Sequence, residues 1–209
     1  MSWLYNEPKL KWLLLLTATT LFFAWFQQTY FATDILYYNT YGDTLSIETI
    51  DLLIENAKKY SLWGYLAIPA IILLRILFTT LCLYLGSFFR NISNNFKVCF
   101  NIALKADAVF LLALLFNVVY HTLAGFDNLI ELTTNPLYLL YYVDGESIPK
   151  YLLYPVGLVS FFELLYWAFL AGLVKYRYEY TASGSLEFVA ASYGTGTLLV
   201  ILVVVFLVI

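Results

Sequence analysis

Five long apolar runs limit what this chain can fold into. They cover residues 12–33, 60–89, 106–126, 151–174 and 187–209. A helix needs about 20 residues to cross the hydrocarbon layer of a bilayer, and each run is long enough. The chain is 62% hydrophobic and only 12% charged, whereas a soluble domain carries about 25% charged residues. The sequence therefore predicts an all-α fold, a polytopic membrane helix bundle of five transmembrane helices that forms a single domain over residues 1–209.

The basic residues between the runs predict how the chain is oriented, because short cytoplasmic loops are enriched in Lys and Arg. One side carries Lys9, Lys11, Arg90, Lys97, Lys175 and Arg177. The other side carries Lys58, Lys59 and Lys150, together with most of the acidic residues, Asp144 and Glu146 among them. This asymmetry predicts a cytoplasmic N-terminus and an external C-terminus, with outer loops at residues 34–59 and 127–150.

Both outer loops contain more than linker sequence. In the first, Ile47, Ile50, Ile54 and Ala57 recur at helical spacing behind Asp43, a suitable N-cap. We therefore expect an amphipathic helix that lies on the outer surface. The second loop is too apolar to extend freely into water, which favours a re-entrant or an interfacial segment.

Arg75 and Glu163 are isolated charges inside apolar runs, and ionisable groups at such depth are candidate functional residues. Along helices with a rise of 1.5 Å per residue, Arg75 lies about 22 Å from Arg90 and Glu163 about 18 Å from Lys175. Opposite charges at similar depth can neutralise each other, and an arginine can hold a carboxylate through two hydrogen bonds. We therefore predict an intramembrane Arg75–Glu163 ion pair. It would either fix helix register, or it would line a polar cavity, contact a lipid headgroup or receive a partner subunit.

Three further polar residues could extend a polar pathway through the bundle. Lys105 and Asp107 stand at the start of the third run, where Lys105 is expected to reach the interface and Asp107 to accept from a neighbouring helix. His121 lies near the outer end of that run. Its imidazole could relay protons, since it titrates near neutrality, or bond to an outer-loop group.

The last run begins with small residues, Ala190, Ala191, Gly194 and Gly196. Small residues let helices approach closely, so this stretch is predicted to be a packing face within the bundle or against another subunit. The aliphatic remainder of the run is expected to face lipid.

Motifs for catalysis, metals and nucleic acid are missing from the sequence. It has no zinc-protease His-Glu-x-x-His motif, nucleophile elbow or phosphate-binding loop. Its two cysteines lie in apolar surroundings, and its basic residues are scattered, with a net charge of −3. We expect neither an enzyme nor a cofactor or metal site, and no nucleic-acid partner.

Two segments carry a resemblance to a known family. "LYLGSFFRNISNNFKVCFNIALKADAVFLL" and "YWAFLAGLVKYRYEYTASGSLEFVAASYGTG" are similar to the central turn and the last two spans of the Yip1-like family of small five-span membrane proteins. The resemblance covers residues 60–209. It implies a role in trafficking or membrane organisation and supplies no catalytic residues, while the acidic outer loops and Glu163 depart from the pattern.

Two functions are consistent with these features. The first is a non-catalytic integral membrane subunit or scaffold, whose partners are membrane lipids and other membrane protein subunits. The alternative is a small transporter or lipid-handling protein with a polar pathway past Arg75 and Glu163. The abundance of Phe, Tyr, Leu and Asn favours a bacterial cytoplasmic (inner) membrane.

Overall fold

A computed structural model describes residues 9–92, 95–133, 135–143 and 148–208 of the chain, so the predicted outer-loop charges Asp144 and Glu146 lie outside the described residues. Every regular element in these ranges is helical. The α-helices are α1 (Lys9–Tyr30), α2 (Asp34–Tyr41), α3 (Ile47–Phe89), α4 (Phe96–Ala106), α5 (Val109–Ala124), α6 (Leu129–Thr133), α7 (Lys150–Leu158), α8 (Phe161–Tyr178), α9 (Ala182–Val189) and α10 (Thr195–Val208). A short 3₁₀ helix covers Leu139–Tyr142, and a π turn at Ala190–Gly194 joins α9 to α10.

Among the described residues, four helical stretches are long and apolar enough to cross a membrane, which indicates an integral membrane protein. They are Lys9–Tyr30, Ile47–Phe89, Phe96–Ala124 and Ala182–Val208. The predicted fourth span, residues 151–174, is not one of them. Its apolar run is divided into α7, of nine residues, and α8, of eighteen. The run therefore forms two helices and not the single helix that the sequence predicted.

The first outer loop differs from the prediction. The expected amphipathic helix is the first part of α3, which continues without a break through 43 residues. Its N-cap is Ser46, not Asp43, because the Ser46 hydroxyl accepts a bond from the backbone N–H of Thr49 at 3.4 Å. The predicted face is partly correct, since Ile50 and Ile54 are buried whereas Ile47 is exposed.

The third span begins ten residues earlier than predicted. Asn95 caps α4 by accepting from the backbone N–H of Lys97 at 2.9 Å. Helix α4 then runs to Ala106, and after a turn at Asp107 and Ala108 the chain continues as α5. Asp107 therefore lies about 16 Å inside the helix start and not at the membrane edge. Lys105 is likewise buried, at 3% exposure. This differs from the prediction, in which Lys105 reaches the interface.

The helix termini lie in two groups, one at each end of the bundle, and contacts between chain segments hold each group together. At one end, the Lys9 ammonium donates to the backbone oxygen of Lys97 at 3.1 Å. Arg90 and Glu187 form a salt bridge of 2.6 Å that joins the neighbouring termini of α3 and α9. The second group consists of the two outer loops, where the Asn39 amide donates to the backbone oxygen of Asp127 at 2.9 Å.

Backbone groups at the break between α7 and α8 form hydrogen bonds with another segment of the chain. Tyr138 and Ser160 form an isolated antiparallel bridge. The Leu139 N–H donates to the Val159 oxygen at 2.9 Å, and the Phe161 N–H donates to the Leu137 oxygen at 2.8 Å. Non-helical backbone at membrane depth requires such partners, because no water is available there. The second outer loop thus folds back against the break in the helix.

The predicted packing face of the last run is correct in part. A Cβ on Gly194 would lie 2.6 Å from the Trp167 ring, and one on Gly196 would collide with the Cys82 sulfur. Both glycines therefore pack against helices of the same bundle, α8 and α3. Ala190 and Ala191, in contrast, are exposed, because the π turn rotates them away from that contact.

Candidate intramembrane site

Arg75 lies in the part of α3 that crosses the bundle, and it is held on two sides. Its Nε donates to Asp107 Oδ1 at 2.7 Å, and its Nη2 donates to Asp107 Oδ2 at 2.8 Å. The guanidinium carbon lies 4.0 Å from the centroid of the Phe110 ring. A fork of two charge-assisted hydrogen bonds and a stacked ring fix both the position and the plane of the guanidinium.

The partner of Arg75 is therefore Asp107, and the predicted pairing with Glu163 is wrong. Because the third span begins at Phe96, Asp107 lies at the depth of Arg75 and on the helix that packs against α3. Asp107 has a side chain that is only 2% exposed, against 35% for Arg75. A buried carboxylate without a countercharge is costly, and the bidentate bond to Arg75 supplies that countercharge inside the bundle.

Glu163 is the second carboxylate of the site, and its hydrogen-bond partners are neutral. It lies in the first turn of α8, where Ser160 caps the helix by accepting from the Glu163 N–H at 3.1 Å. The Trp167 indole donates to Glu163 Oε1 at 2.9 Å, and the Tyr193 hydroxyl donates to the same oxygen at 3.0 Å. Trp167 is four residues further along α8, so that bond follows from helix geometry.

Tyr193 reaches Glu163 because of the π turn. That turn adds a residue to the helical repeat and presents the Tyr193 ring to α3 and α8, with Phe78 at 6.1 Å and Tyr166 at 5.3 Å between centroids. Such turns occur frequently at functional sites. The break before α8 and the π turn before α10 are therefore joined by the Tyr193–Glu163 bond.

Tyr166 connects the two carboxylate regions. Its hydroxyl is 2.8 Å from that of Thr79 on α3, and both side chains are completely buried. Its ring lies 5.0 Å from that of Phe110, the same ring that Arg75 covers. Aromatic contacts thus run from Arg75 through Phe110 and Tyr166 to Tyr193, which holds the helices around the site together.

Arg75 borders two clefts next to the site. The larger one, of about 480 Å³, is also bordered by Glu163, Tyr193, Tyr154 and Thr197. The other, of about 250 Å³, contains Asp107, Asn117 and Tyr138. Tyr138 belongs to the folded-back outer loop, so the segment that stabilises the helix break also contributes a wall. Most of the remaining lining of both clefts is apolar.

The other predicted pathway residues lie elsewhere. Neither Lys105 nor His121 borders either of these two clefts. His121 is 2% exposed and is surrounded by aromatic rings, with Tyr120 at 5.1 Å and Phe126 at 5.5 Å. Within the described part of the chain, neither of its ring nitrogens has a hydrogen-bond partner. The described residues therefore show no bond from His121 to an outer-loop group, and the imidazole packs among aromatic rings.

Sequence reasoning missed several residues of this site: Phe110, Thr79, Tyr166, Trp167 and Tyr193. The tryptophan could have been found, since it stands four residues after an acidic residue on a helix. The tyrosines carry no such local signal. The described residues also contain no group of three or more His, Cys, Asp and Glu side chains that could hold a metal ion.

The fold and the site define a class: a helical integral membrane protein with an ion pair and a second carboxylate among its packed helices. Comparisons of the chain with family models, with curated proteins and with solved structures found no match. The similarity to the Yip1-like family therefore stays a prediction.

Proposed function

We propose that this protein binds an amphiphilic molecule within the membrane, as a lipid-handling protein or small transporter. The observation that supports this best is the exposure of Arg75 to both clefts. A guanidinium has five N–H donors, and the Asp107 salt bridge uses two of them. An ion pair that served only to lock two helices together would have no need to border two clefts.

The interrupted helix supports the same proposal. In many transporters, substrates bind near the middle of the membrane where helices are discontinuous, because irregular backbone is tolerated only if it is buried in protein or lines a cavity. Here the break before α8 places Glu163, in the first turn of the new helix, on the wall of the 480 Å³ cleft. The protein would act by binding and not by catalysis, without a cofactor.

The test is purification in a mild detergent followed by native mass spectrometry of the lipids that remain bound. The informative variant combines Arg75→Gln with Asp107→Asn, which removes both charges while it leaves a polar amide side chain at each position. We expect the wild type to retain lipid and the double variant to lose most of it. Equal retention by both proteins would refute the proposal.

Membrane topology forms part of the proposal. Helices α7 and α8 together would provide a fifth crossing, with the N-terminus in the cytoplasm, the C-terminus outside, and the protein in a bacterial cytoplasmic membrane. Labelling of single cysteines at Lys97 and Asp127 with an impermeant maleimide in spheroplasts tests this. Only the cysteine at position 127 should react before the membrane is permeabilised.

A scaffold function is the second candidate, favoured by the loose attachment of the two terminal helices. No residue of α10 is buried, and Leu16 is the only buried residue of α1. Those surfaces face either lipid or another subunit. Size-exclusion chromatography with light scattering in detergent distinguishes the two, since a scaffold should run with a partner and a lipid-handling protein should run as a monomer.

A further inference from the structure

We infer that the 480 Å³ cleft binds a zwitterion, with an anionic group at Arg75 and a primary ammonium at Glu163. This inference rests on the proposed function and names the chemistry of its ligand. The cleft is bordered by a cation from α3 and a carboxylate from α8. These two side chains do not form a salt bridge with each other, because each is held by other partners.

Arg75 is prepared to receive an anion. Its Nε and Nη2 each donate one bond to Asp107, and the Phe110 ring covers one face of its plane. Three N–H groups remain, and they lie in the plane of a guanidinium that cannot rotate without losing both bonds. A phosphate or carboxylate oxygen fits this arrangement, since planar N–H pairs bind both groups well.

Glu163 is prepared to receive a cation with N–H donors. Among the described residues, both of its side-chain hydrogen bonds fall on Oε1, from Trp167 and Tyr193, so Oε2 is left as an acceptor. The two donors hold the carboxylate in place and are neutral, so they leave its charge uncompensated. A primary ammonium offers three N–H donors to such an oxygen, whereas a quaternary ammonium offers none.

The charges at this depth favour a ligand that is neutral as a whole. In the interior of the bundle, Arg75 and Lys105 carry formal positive charges, Asp107 and Glu163 carry formal negative charges, and His121 is formally neutral. Their formal charges cancel. Burial of an additional net charge would be strongly unfavourable in hydrocarbon, whereas a zwitterion adds one charge of each sign and meets each with its complement.

The cleft opens toward the side of the bundle. Ile71 and Leu74 form part of its wall and are 58% and 66% exposed. These exposed aliphatic side chains face the acyl chains of the bilayer. A phospholipid could therefore place its headgroup between Arg75 and Glu163 and leave its chains outside, and a small soluble zwitterion could occupy the same two groups alone.

The experiment is a competition in detergent, read out by native mass spectrometry. Wild-type protein is titrated with phosphatidylethanolamine, phosphatidylcholine and phosphatidylglycerol of identical acyl chains, and separately with soluble glycerophosphoethanolamine, a phosphodiester with one charge of each sign. We expect phosphatidylethanolamine to bind about tenfold more tightly than either other lipid, which corresponds to about 1.4 kcal/mol. Phosphatidylcholine tests the need for N–H donors, and phosphatidylglycerol the need for a cation.

Glu163→Gln is the matched variant, because glutamine keeps an oxygen for Trp167 and Tyr193 and removes the negative charge and the second acceptor oxygen. It should bind all three lipids with similar affinity. Glu55→Gln makes the same change at an exposed position of α3, outside the cleft, and should keep the wild-type preference.

The outcomes separate this inference from the proposed function. Preference for phosphatidylethanolamine that is lost in Glu163→Gln supports a lipid source. Binding of glycerophosphoethanolamine that is lost in the same variant, without lipid preference, supports a soluble source. Equal binding of the three lipids by wild type together with no binding of glycerophosphoethanolamine, or a preference that survives Glu163→Gln, would overturn the inference and leave lipid binding intact. Absence of any binding would overturn both.

Discussion

The two carboxylates of the site, Asp107 and Glu163, differ in what surrounds them. Asp107 is almost completely buried, and both of its oxygens accept bonds from one permanent cation. Glu163 is half-buried in a cleft wall, and one of its oxygens accepts bonds from two neutral donors. The comparison indicates that Asp107 is a fixed countercharge, whereas Glu163 is held in position with its charge still available. Substitutions at the two sites should therefore have different consequences.

Asp107→Ala should have the largest effect on stability. It leaves the Arg75 guanidinium without its countercharge inside the bundle, and removal of one partner of a buried pair costs about 3–5 kcal/mol. We expect a large loss of monodisperse protein after heating in detergent, measured by size-exclusion chromatography. Unchanged thermal stability would show that Arg75 does not depend on this carboxylate.

The control is the double variant Arg75→Gln with Asp107→Asn. It removes both charges at once, so no uncompensated charge is left behind, and its stability should recover toward wild type. Asp107→Ala and Glu163→Ala also provide a direct comparison. Loss of the Glu163 carboxylate leaves no cation without its partner, because the partners of Glu163 are neutral. If both alanine variants lose the same stability, the distinction between the two carboxylates is incorrect.

Gly194→Ala should have the next largest effect, because it disturbs the surroundings of Glu163. The added Cβ would lie 2.6 Å from the Trp167 ring, whose indole N–H donates to Glu163. Displacement of that ring loses packing and weakens the hydrogen bond, and overpacking of this kind costs about 1–3 kcal/mol. Thermal stability in detergent measures the loss.

Gly172→Ala is the matched control for this prediction. Gly172 lies on the same helix as Trp167, and a Cβ there meets no atom within 4 Å. Alanine also favours helix over glycine, so this variant should be as stable as wild type or slightly more stable. Equal destabilisation by the two substitutions would mean that glycine itself, and not the contact with Trp167, matters at position 194.

The sequence predicted the helical class and most of the membrane-spanning stretches, because apolar runs bounded by charges report burial in hydrocarbon directly. It could not predict that residues 151–174 form two helices. The break depends on backbone bonds from Leu137 and Leu139, which are distant in sequence. Pro155 is a poor guide to this position, since it lies inside α7.

The Arg75 pairing shows why depth alone is insufficient. Distance to the helix end favours Glu163 as the partner of Arg75, whereas Asp107 is expected near the membrane edge because the third span is measured from Ala106. The Asn95 cap extends that span by ten residues and moves Asp107 inward. Polar residues such as Asn101 and Lys105 concealed the start of the helix, because their polarity is typical of a loop and only the packed bundle buries them.

Tyr193→Phe should have a smaller effect, and it tests how firmly Glu163 is held. It removes one hydrogen bond to Oε1 and keeps the ring that packs against Phe78 and Tyr166. Hydrogen bonds between membrane helices contribute about 0.6 kcal/mol on average. Thermal stability should therefore fall slightly, while the preference among lipid headgroups should fall more, since the carboxylate loses an orienting donor. A preference that is unchanged would show that Trp167 alone orients it.

Tyr38→Phe should have the smallest effect, and it extends the comparison to a carboxylate in water. The Tyr38 hydroxyl, on α2, donates to Asp51 near the start of α3, and both side chains lie outside the hydrophobic part of the bundle. The bond to Asp51 raises the pKa of Tyr38 above its ordinary value of 10.0. Since the pKa is higher in the folded protein, this contribution to stability is present below about pH 10 and is lost as the pH rises through the raised pKa.

The pH dependence distinguishes this bond from simple packing. Thermal stability in detergent should differ slightly between wild type and Tyr38→Phe at pH 8, and the difference should vanish above the pKa of Tyr38, where the phenolate no longer donates and repels Asp51. A difference that is constant from pH 8 to pH 11 would assign the effect to the ring. Unlike Asp107, the carboxylate of Asp51 is solvated, so loss of its partner leaves it with water and costs the protein little.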